Sequence, residues 1–158
     1  MTGTIRLRDE AATTRLGARV APWLAPGEAV LLEGALGMGK STLARGLIRA
    51  LAGPDEDVPS PTFTLVQTYD TDPTLAHFDL YRIERPDEVR EIGLDEALDI
   101  GAVVIEWPER LGVDLDRALG PDRLTVALSD AGHGRVATVS GVGAWAMKVQ
   151  GLFEGWND

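Results

Sequence analysis

The sequence contains no cysteine, and this absence excludes disulfide bonds and thiolate metal sites. It also lacks any run close to the roughly 18 consecutive apolar residues that a membrane-spanning helix needs. Residues 1–10 are mixed and charged, unlike the apolar start of a signal peptide. We therefore expect a soluble cytoplasmic protein that makes no contact with a membrane.

Positive charge is scarce, because the formal net charge is -10 and the only lysines are Lys40 and Lys148. A protein that binds nucleic acid unaided normally neutralises the phosphates with a basic surface. The composition therefore argues against tight binding of free nucleic acid. The 158 residues, 44% of them hydrophobic, suffice for the core of one domain, and we expect residues 1–158 to form a single domain.

Short apolar runs alternate along the chain with segments of helical periodicity, and this pattern predicts an α/β protein. The predicted strands cover residues 4–8, 29–33, 63–69, 75–79 and 102–105. The predicted helices cover residues 11–24, 41–51, 86–92 and 95–98, with a further C-terminal helix within residues 141–158. Residues 123–128 and 135–140 alternate around a glycine-rich turn and predict a β-hairpin near the end of the chain.

Residues 34–41 match the phosphate-binding pattern G-x-x-x-x-G-K-[ST] in full. The glycines let the backbone come close to a phosphate, and the loop N–H groups converge at the positive end of the helix that follows. Lys40 supplies a mobile positive charge for the β- and γ-phosphates, and the hydroxyl of Ser41 suits Mg²⁺. Thr42 follows within reach of the α-phosphate. The segment predicts a P-loop that holds a nucleoside triphosphate with Mg²⁺.

Two carboxylates follow apolar runs of strand type, as a phosphate-binding site of this kind requires. Glu106 follows residues 102–105, and Asp79 follows residues 75–78. Both are candidates for the metal or water-positioning shell, and the pattern leaves open which of them contacts the metal. His77 also lies in the second run, but a lone strand histidine is more often a hydrogen-bonded structural residue than a ligand or base.

The scarcity of asparagine indicates which nucleotide the loop binds. A GTPase recognises guanine through an Asn-Lys-x-Asp motif, but the only asparagine of the chain is Asn157. ATP is therefore favoured over GTP. The chain also lacks the Leu-Ser-Gly-Gly signature of transporter ATPases, and it is too short for an ATPase module with a separate lid domain.

Beyond the loop, the chain resembles the TsaE (YjeE-like) family of small bacterial ATPases. The resemblance runs in order from about residue 9 to residue 140 and rests on a series of blocks. These blocks are Asp-Glu-Ala-Ala-Thr at 9–13, the loop at 34–42, Ser-Pro-Thr-Phe-Thr-Leu-Val at 60–66, His-Phe-Asp-Leu-Tyr-Arg at 77–82 and Ile-Glu-Trp-Pro-Glu-Arg at 105–110.

The resemblance implies a three-layer P-loop NTPase fold with a mainly parallel sheet flanked by helices. It also implies slow hydrolysis of Mg-ATP that supports formation of threonylcarbamoyladenosine in tRNA, next to the anticodon. The implied partners are the subunits TsaD and TsaB, with tRNA involved only indirectly.

The resemblance also assigns roles by position. It implies catalytic roles for Lys40, Asp79 and Glu106, and metal binding by Ser41 and Glu106. The implied nucleotide-binding residues are Glu10, Gly37, Met38, Gly39, Lys40, Ser41, Thr42 and Arg135. Thr62 and Thr64 fall in a block that behaves as a nucleotide-sensing switch in the family. The chain departs from the usual family loop at Ala35, Met38 and Ser41, although the serine keeps the metal-binding hydroxyl.

Two alternatives to a partner-stimulated ATPase stay open from the sequence. P-loop phosphotransferases share the same phosphate cradle, and a non-catalytic module could use ATP only to close a switch on its partners. Trp107 also has more than one interpretation, since it is either a packed core residue or, beside Glu106, a cover for the site or a contact for a partner.

Overall fold

A seven-stranded sheet forms the centre of the computed structural model, which describes residues 2–156. The strands are β1 (Thr2–Leu7), β2 (Ala29–Glu33), β3 (Val66–Tyr69), β4 (Leu75–Asp79), β5 (Ala102–Glu106), β6 (Arg123–Asp130) and β7 (Arg135–Val142). The helices are α1 (Glu10–Val20), α2 (Lys40–Ala52), α3 (Glu88–Glu91), α4 (Leu94–Ile100), α5 (Leu115–Ala118) and α6 (Trp145–Phe153). Two 3-10 helices cover Ala21–Trp23 and Pro108–Asp114.

The strands lie in the order β1-β7-β6-β2-β5-β4-β3. The four central strands β6, β2, β5 and β4 are mutually parallel, whereas β1, β7 and β3 join the sheet through antiparallel pairings. The predicted α/β class, the flanking helices and the hairpin of β6 and β7 are confirmed. The prediction of a mainly parallel sheet holds for the central strands only, and the sheet as a whole is mixed.

Alternating residues of the central strands face two separate cores, as expected for strands that are covered on both sides. Leu32, Leu75 and Val104 contribute to the core beneath α1, α2 and α6. Phe78 and Ile105 contribute to the opposite core, beneath the short helices α3, α4 and α5. Within residues 2–156, no helix is both long and apolar enough to cross a membrane.

Two predicted boundaries were wrong for identifiable reasons. Residues 63–65 were predicted to begin a strand, but they lie in a turn that closes with a hydrogen bond from the backbone N–H of Leu65 to the carbonyl oxygen of Pro61. Leu65 has a φ of 71°, which no strand can accommodate. The first helix was predicted to reach residue 24 but ends at Val20, because Pro22 has no N–H to continue the hydrogen-bond ladder.

The last helix, α6, is joined to the start of β2 by a buried carboxylate. Glu28 accepts hydrogen bonds from the indole Nε1 of Trp145 at 3.0 Å and from Nζ of Lys148 at 2.6 Å. It also accepts one from the backbone N–H of Ala25 at 2.9 Å, and its exposed fraction is 4%. Gly141 belongs to β7, so the helix is shorter than the range of 141–158 in which it was predicted, and residues 157–158 lie outside the described residues.

We predict that Lys148→Met lowers the free energy of unfolding by about 2 kcal/mol, because it removes a charged hydrogen-bond donor from a buried carboxylate. The matched control is Arg117→Met, which breaks an exposed ion pair with Asp114 and is expected to change stability by less than about 0.5 kcal/mol. Urea unfolding curves of the three proteins measure the difference. Equal stabilities of the two variants would contradict the prediction.

Candidate functional site

The candidate site lies where the carboxyl ends of three parallel strands meet. In the sheet register, Leu32 of β2 and Asp79 of β4 both pair with Glu106 at the end of β5. The chain leaves β2 into the glycine-rich loop and enters α2 at Lys40. This topology gathers segments that are far apart in the sequence at one edge of the sheet.

The glycine-rich loop needs glycine for two different reasons. Gly34 has a φ of 143°, and a Cβ atom there would lie 2.7 Å from the carbonyl oxygen of Leu128. Gly37 also has a positive φ, of 84°, but a Cβ atom there would meet nothing within 4 Å. Gly34 therefore lets two backbone segments approach each other, whereas Gly37 serves only the shape of the turn.

Lys40 is buried at the centre of the site. Its Nζ donates hydrogen bonds to the carbonyl oxygens of Gly34 and Ala35, and it lies 3.8 Å from the centroid of the Trp107 ring. Burial lowers the pKa of Lys40, and the carboxylates of Glu106, Glu109 and Asp79 oppose that shift. The ammonium group thus lies among loop carbonyls, an aromatic face and acidic groups, and the acidic groups offset only part of the effect of burial on its pKa.

Glu106 contacts both the glycine-rich loop and β4. Its Oε1 accepts a hydrogen bond from Oγ of Ser41 at 2.9 Å, and its Oε2 lies 2.6 Å from Nε2 of His77. Its exposed fraction is 2%, compared with 1% for His77. The strand-end carboxylate and the loop hydroxyl therefore face each other directly, as two oxygen ligands of one hard cation do.

Asp79 connects the site to the turn before β3. Its Oδ2 accepts a hydrogen bond from Oγ1 of Thr62 at 3.1 Å, and its Oδ1 accepts one from the backbone N–H of Tyr81 at 3.0 Å. The hydroxyls of Thr62 and Ser60 are 2.7 Å apart. Thr64 is exposed and accepts a hydrogen bond from Gln67, so only one of the two threonines in this block contacts the site.

Two adjoining cavities contain all of the predicted site residues. The first has a volume of about 330 Å³, and its lining includes Gly37, Gly39, Lys40, Ser41, Thr42, Asp79 and Glu106. The second has a volume of about 260 Å³, and its lining includes Glu10, Gly37, Met38, Gly39, Thr42 and Arg135. Gly37, Gly39 and Thr42 belong to both, so the cavities flank the loop. Arg135 donates from Nη2 to the carbonyl oxygen of Gly37 at 3.5 Å.

Several lining residues were not among the predicted site residues: Leu36, Tyr81 and Trp107 in the first cavity, and Arg8, Asp9, Thr13 and Gly134 in the second. Trp107 has a φ of 62°, and its ring lies 4.8 Å from that of Tyr81, centroid to centroid. Its place over Lys40 supports the interpretation as a cover for the site. In the sequence, the one indication that Trp107 lies at the site is its position directly after Glu106. No local pattern predicts the left-handed backbone that turns its ring over the loop.

Comparisons with known proteins agree on one family. The model of the family described as "Threonylcarbamoyl adenosine biosynthesis protein TsaE" matches residues 7–137. A Streptomyces coelicolor protein named tRNA threonylcarbamoyladenosine biosynthesis protein TsaE is 37% identical over 145 residues, which cover 83% of this chain and 92% of that protein. A Rickettsia felis protein of the same name is 42% identical over 104 residues, 65% of this chain. The chain spans only 61% of that relative's length.

A solved structure extends the likeness to three dimensions. The crystal structure of YdiB from Bacillus subtilus matches with a TM-score of 0.75 at 28% sequence identity. The match covers 96% of this chain and 94% of that chain.

We predict different costs for alanine at the two loop glycines. Gly34→Ala should lower the free energy of unfolding by at least about 2 kcal/mol, because the new Cβ atom meets a backbone carbonyl. Gly37→Ala should cost only about 1 kcal/mol, the strain of a positive φ without a clash. Urea unfolding measures both values, and a larger cost at Gly37 would show that the loop has another shape.

Proposed function

The chain belongs to the TsaE family, and from this premise we propose that it is a Mg-dependent ATPase of tRNA threonylcarbamoyladenosine biosynthesis. One observation carries the proposal: Ser41 of the loop and Glu106 of β5 are in direct contact beside Lys40 and Asp79, within one cavity. The sequence β2, glycine-rich loop and α2, with β5 next to β2, supports the P-loop NTPase fold. The predicted cytoplasmic location is part of the same proposal.

The donor set fits Mg²⁺. The hydroxyl of Ser41 and the carboxylate of Glu106 are hard oxygen ligands 2.9 Å apart. Within residues 2–156, no group of three or more His, Cys, Asp or Glu side chains could hold a metal ion. That absence suits an ion that takes one or two protein oxygens and completes its shell with phosphates and water. When bound, Mg²⁺ neutralises charge on the phosphate oxygens.

Each side chain then has a defined task. Lys40 exchanges the carbonyl oxygens of Gly34 and Ala35 for phosphate oxygens, while the ring of Trp107 keeps its ammonium group in place. Asp79 lies on the neighbouring strand end and accepts a hydrogen bond from the water that attacks the γ-phosphorus. That attack breaks the bond between the γ-phosphorus and the bridging oxygen, and ADP leaves.

The second cavity is suited to the nucleoside part of ATP. It adjoins the phosphate loop at Gly37 and Thr42, and its lining carries Glu10 and Arg135 from separate elements. We assign Glu10, Met38 and Arg135 to nucleotide contact on this basis.

The proposed partners are TsaD and TsaB, the subunits expected from the family. Leu36, which lines the first cavity, and Phe63, which follows the lining residue Thr62, are large apolar residues that are 75% and 84% exposed. Exposed apolar side chains beside a site suit contact with another protein. Because Thr62 binds Asp79, a partner that contacts Phe63 can alter hydrolysis without entering the cavity.

We predict that Lys40→Ala lowers phosphate release from Mg-ATP by about 100-fold or more, because it removes the charge that meets the phosphates. Wild type and variant are measured alone and with TsaB plus TsaD, and the partners should accelerate only the wild type. The control Arg117→Ala changes an exposed side chain of α5 and should behave as wild type. Equal rates with and without partners would contradict the proposal. Transfer of labelled phosphate to a small molecule rather than water would favour a phosphotransferase.

The variant Glu106→Gln tests whether assembly with the partners depends on hydrolysis. The variant should lower phosphate release by about 100-fold, because it weakens the hold on Mg²⁺. The matched control Glu96→Gln changes an exposed carboxylate of α4 and should leave the rate unchanged. Size-exclusion chromatography with TsaB and TsaD and ATP then tests the switch alternative. Assembly that persists without hydrolysis favours a switch, and assembly lost together with hydrolysis favours coupling to turnover.

A further inference from the structure

His77 is a buried histidine to which the proposed mechanism gives no task. Its exposed fraction is 1%, and its Nε2 lies 2.6 Å from Oε2 of Glu106. Among the described residues, it lines neither of the two cavities at the loop. His77 therefore reaches the site through Glu106.

The sheet places His77 behind the carboxylate. In the parallel register of β4 and β5, His77 pairs with Val104, and Asp79 pairs with Glu106 two residues further along each strand. Alternate residues of a strand face the same side, so His77 shares its side with Leu75 and Asp79. Leu75 and Val104 belong to the core beneath α1 and α2. Along this face of β4, His77 thus lies between the apolar Leu75 of the core and Asp79 of the site.

The hydrogen-bond partners define the direction of the contact. The Nδ1 atom of His77 is buried and has no hydrogen-bond partner among the described residues. A hydrogen on Nδ1 would leave an unpaired donor in the protein interior and would place the lone pair of Nε2 against the carboxylate oxygen of Glu106, so that two acceptors would face each other at 2.6 Å. The hydrogen therefore belongs on Nε2, which donates to Oε2 of Glu106.

We infer that His77 is a positioning residue that fixes the rotation of the Glu106 carboxylate. The imidazole holds Oε2, and Oε1 is thereby left facing Ser41 and the Mg²⁺ position. The inference rests on the proposed function, since it gives His77 a task only if Glu106 holds Mg²⁺. Partners that orient a metal ligand in this way typically change metal affinity by about 10- to 100-fold.

The test compares His77→Leu with His77→Gln. Leucine fills similar space but cannot donate a hydrogen bond, whereas the glutamine amide reaches about as far as Nε2 and can donate. The matched control is His133→Leu, at the exposed second histidine of the chain. Binding of the non-hydrolysable analogue AMP-PNP is measured by calorimetry over a range of Mg²⁺ concentrations and in EDTA, after each variant has shown cooperative unfolding.

We expect His77→Leu to raise the half-saturating Mg²⁺ concentration about 10-fold and to leave AMP-PNP affinity in EDTA unchanged. His77→Gln should stay within about threefold of wild type, and His133→Leu should match it. A wild-type Mg²⁺ dependence in His77→Leu overturns the inference and leaves the proposed function standing. The same increase in the leucine and glutamine variants also overturns it, because the imidazole would then act other than as a donor.

Two further outcomes have a defined meaning. A wild-type protein that binds no Mg-AMP-PNP overturns the proposed function and this inference together. If His77→Leu fails to fold, His77→Asn replaces it, because asparagine tolerates the buried polar position but is too short to reach Oε2. A higher half-saturating Mg²⁺ concentration for His77→Asn than for His77→Gln supports the inference, and equal concentrations for the two variants overturn it.

Discussion

The site depends on the parallel pairing of β5 with β2 on one side and β4 on the other. This register puts Glu106 level with Asp79 and with the last residues before the glycine-rich loop. A slip of one residue would turn Glu106 toward the opposite core, because side chains alternate along a strand. Such a slip would bury the Glu106 carboxylate in an apolar core without its partners Ser41 and His77, and the cost of that burial favours the observed register.

The residues most readily predicted were those whose partners are near in sequence or whose position follows a simple pattern. The loop ends in Lys40 and Ser41, and one local pattern describes both. Glu106 and Asp79 end apolar runs, and parallel strands bring such ends to one edge. Their meeting at the loop is therefore a consequence of topology that the sequence pattern already implied.

The features that escaped prediction depend on contacts between distant segments or on unusual backbone conformations. Glu28 meets Trp145 and Lys148 at separations of 117 and 120 residues, and no local signal indicates either contact. Residues 63–65 have side chains typical of a strand, but the left-handed backbone of Leu65 is incompatible with a strand at these positions. Trp107 likewise has a positive φ, which is rare for an aromatic residue, and only the packed structure shows where its ring lies.

The two buried glutamates show how packing and function differ within one sheet. Glu28 precedes β2, and both of its oxygens are engaged by donors from α6 and the preceding turn. Glu106, at the other end of the strands, accepts from Ser41 and His77 and lines the first cavity. Glu28 thus accepts three hydrogen bonds and lines neither of the two cavities at the loop, whereas Glu106 accepts two and borders one of them, so Glu106 has the acceptor capacity and the access to take a ligand. Burial alone would not have distinguished them, since both are under 5% exposed.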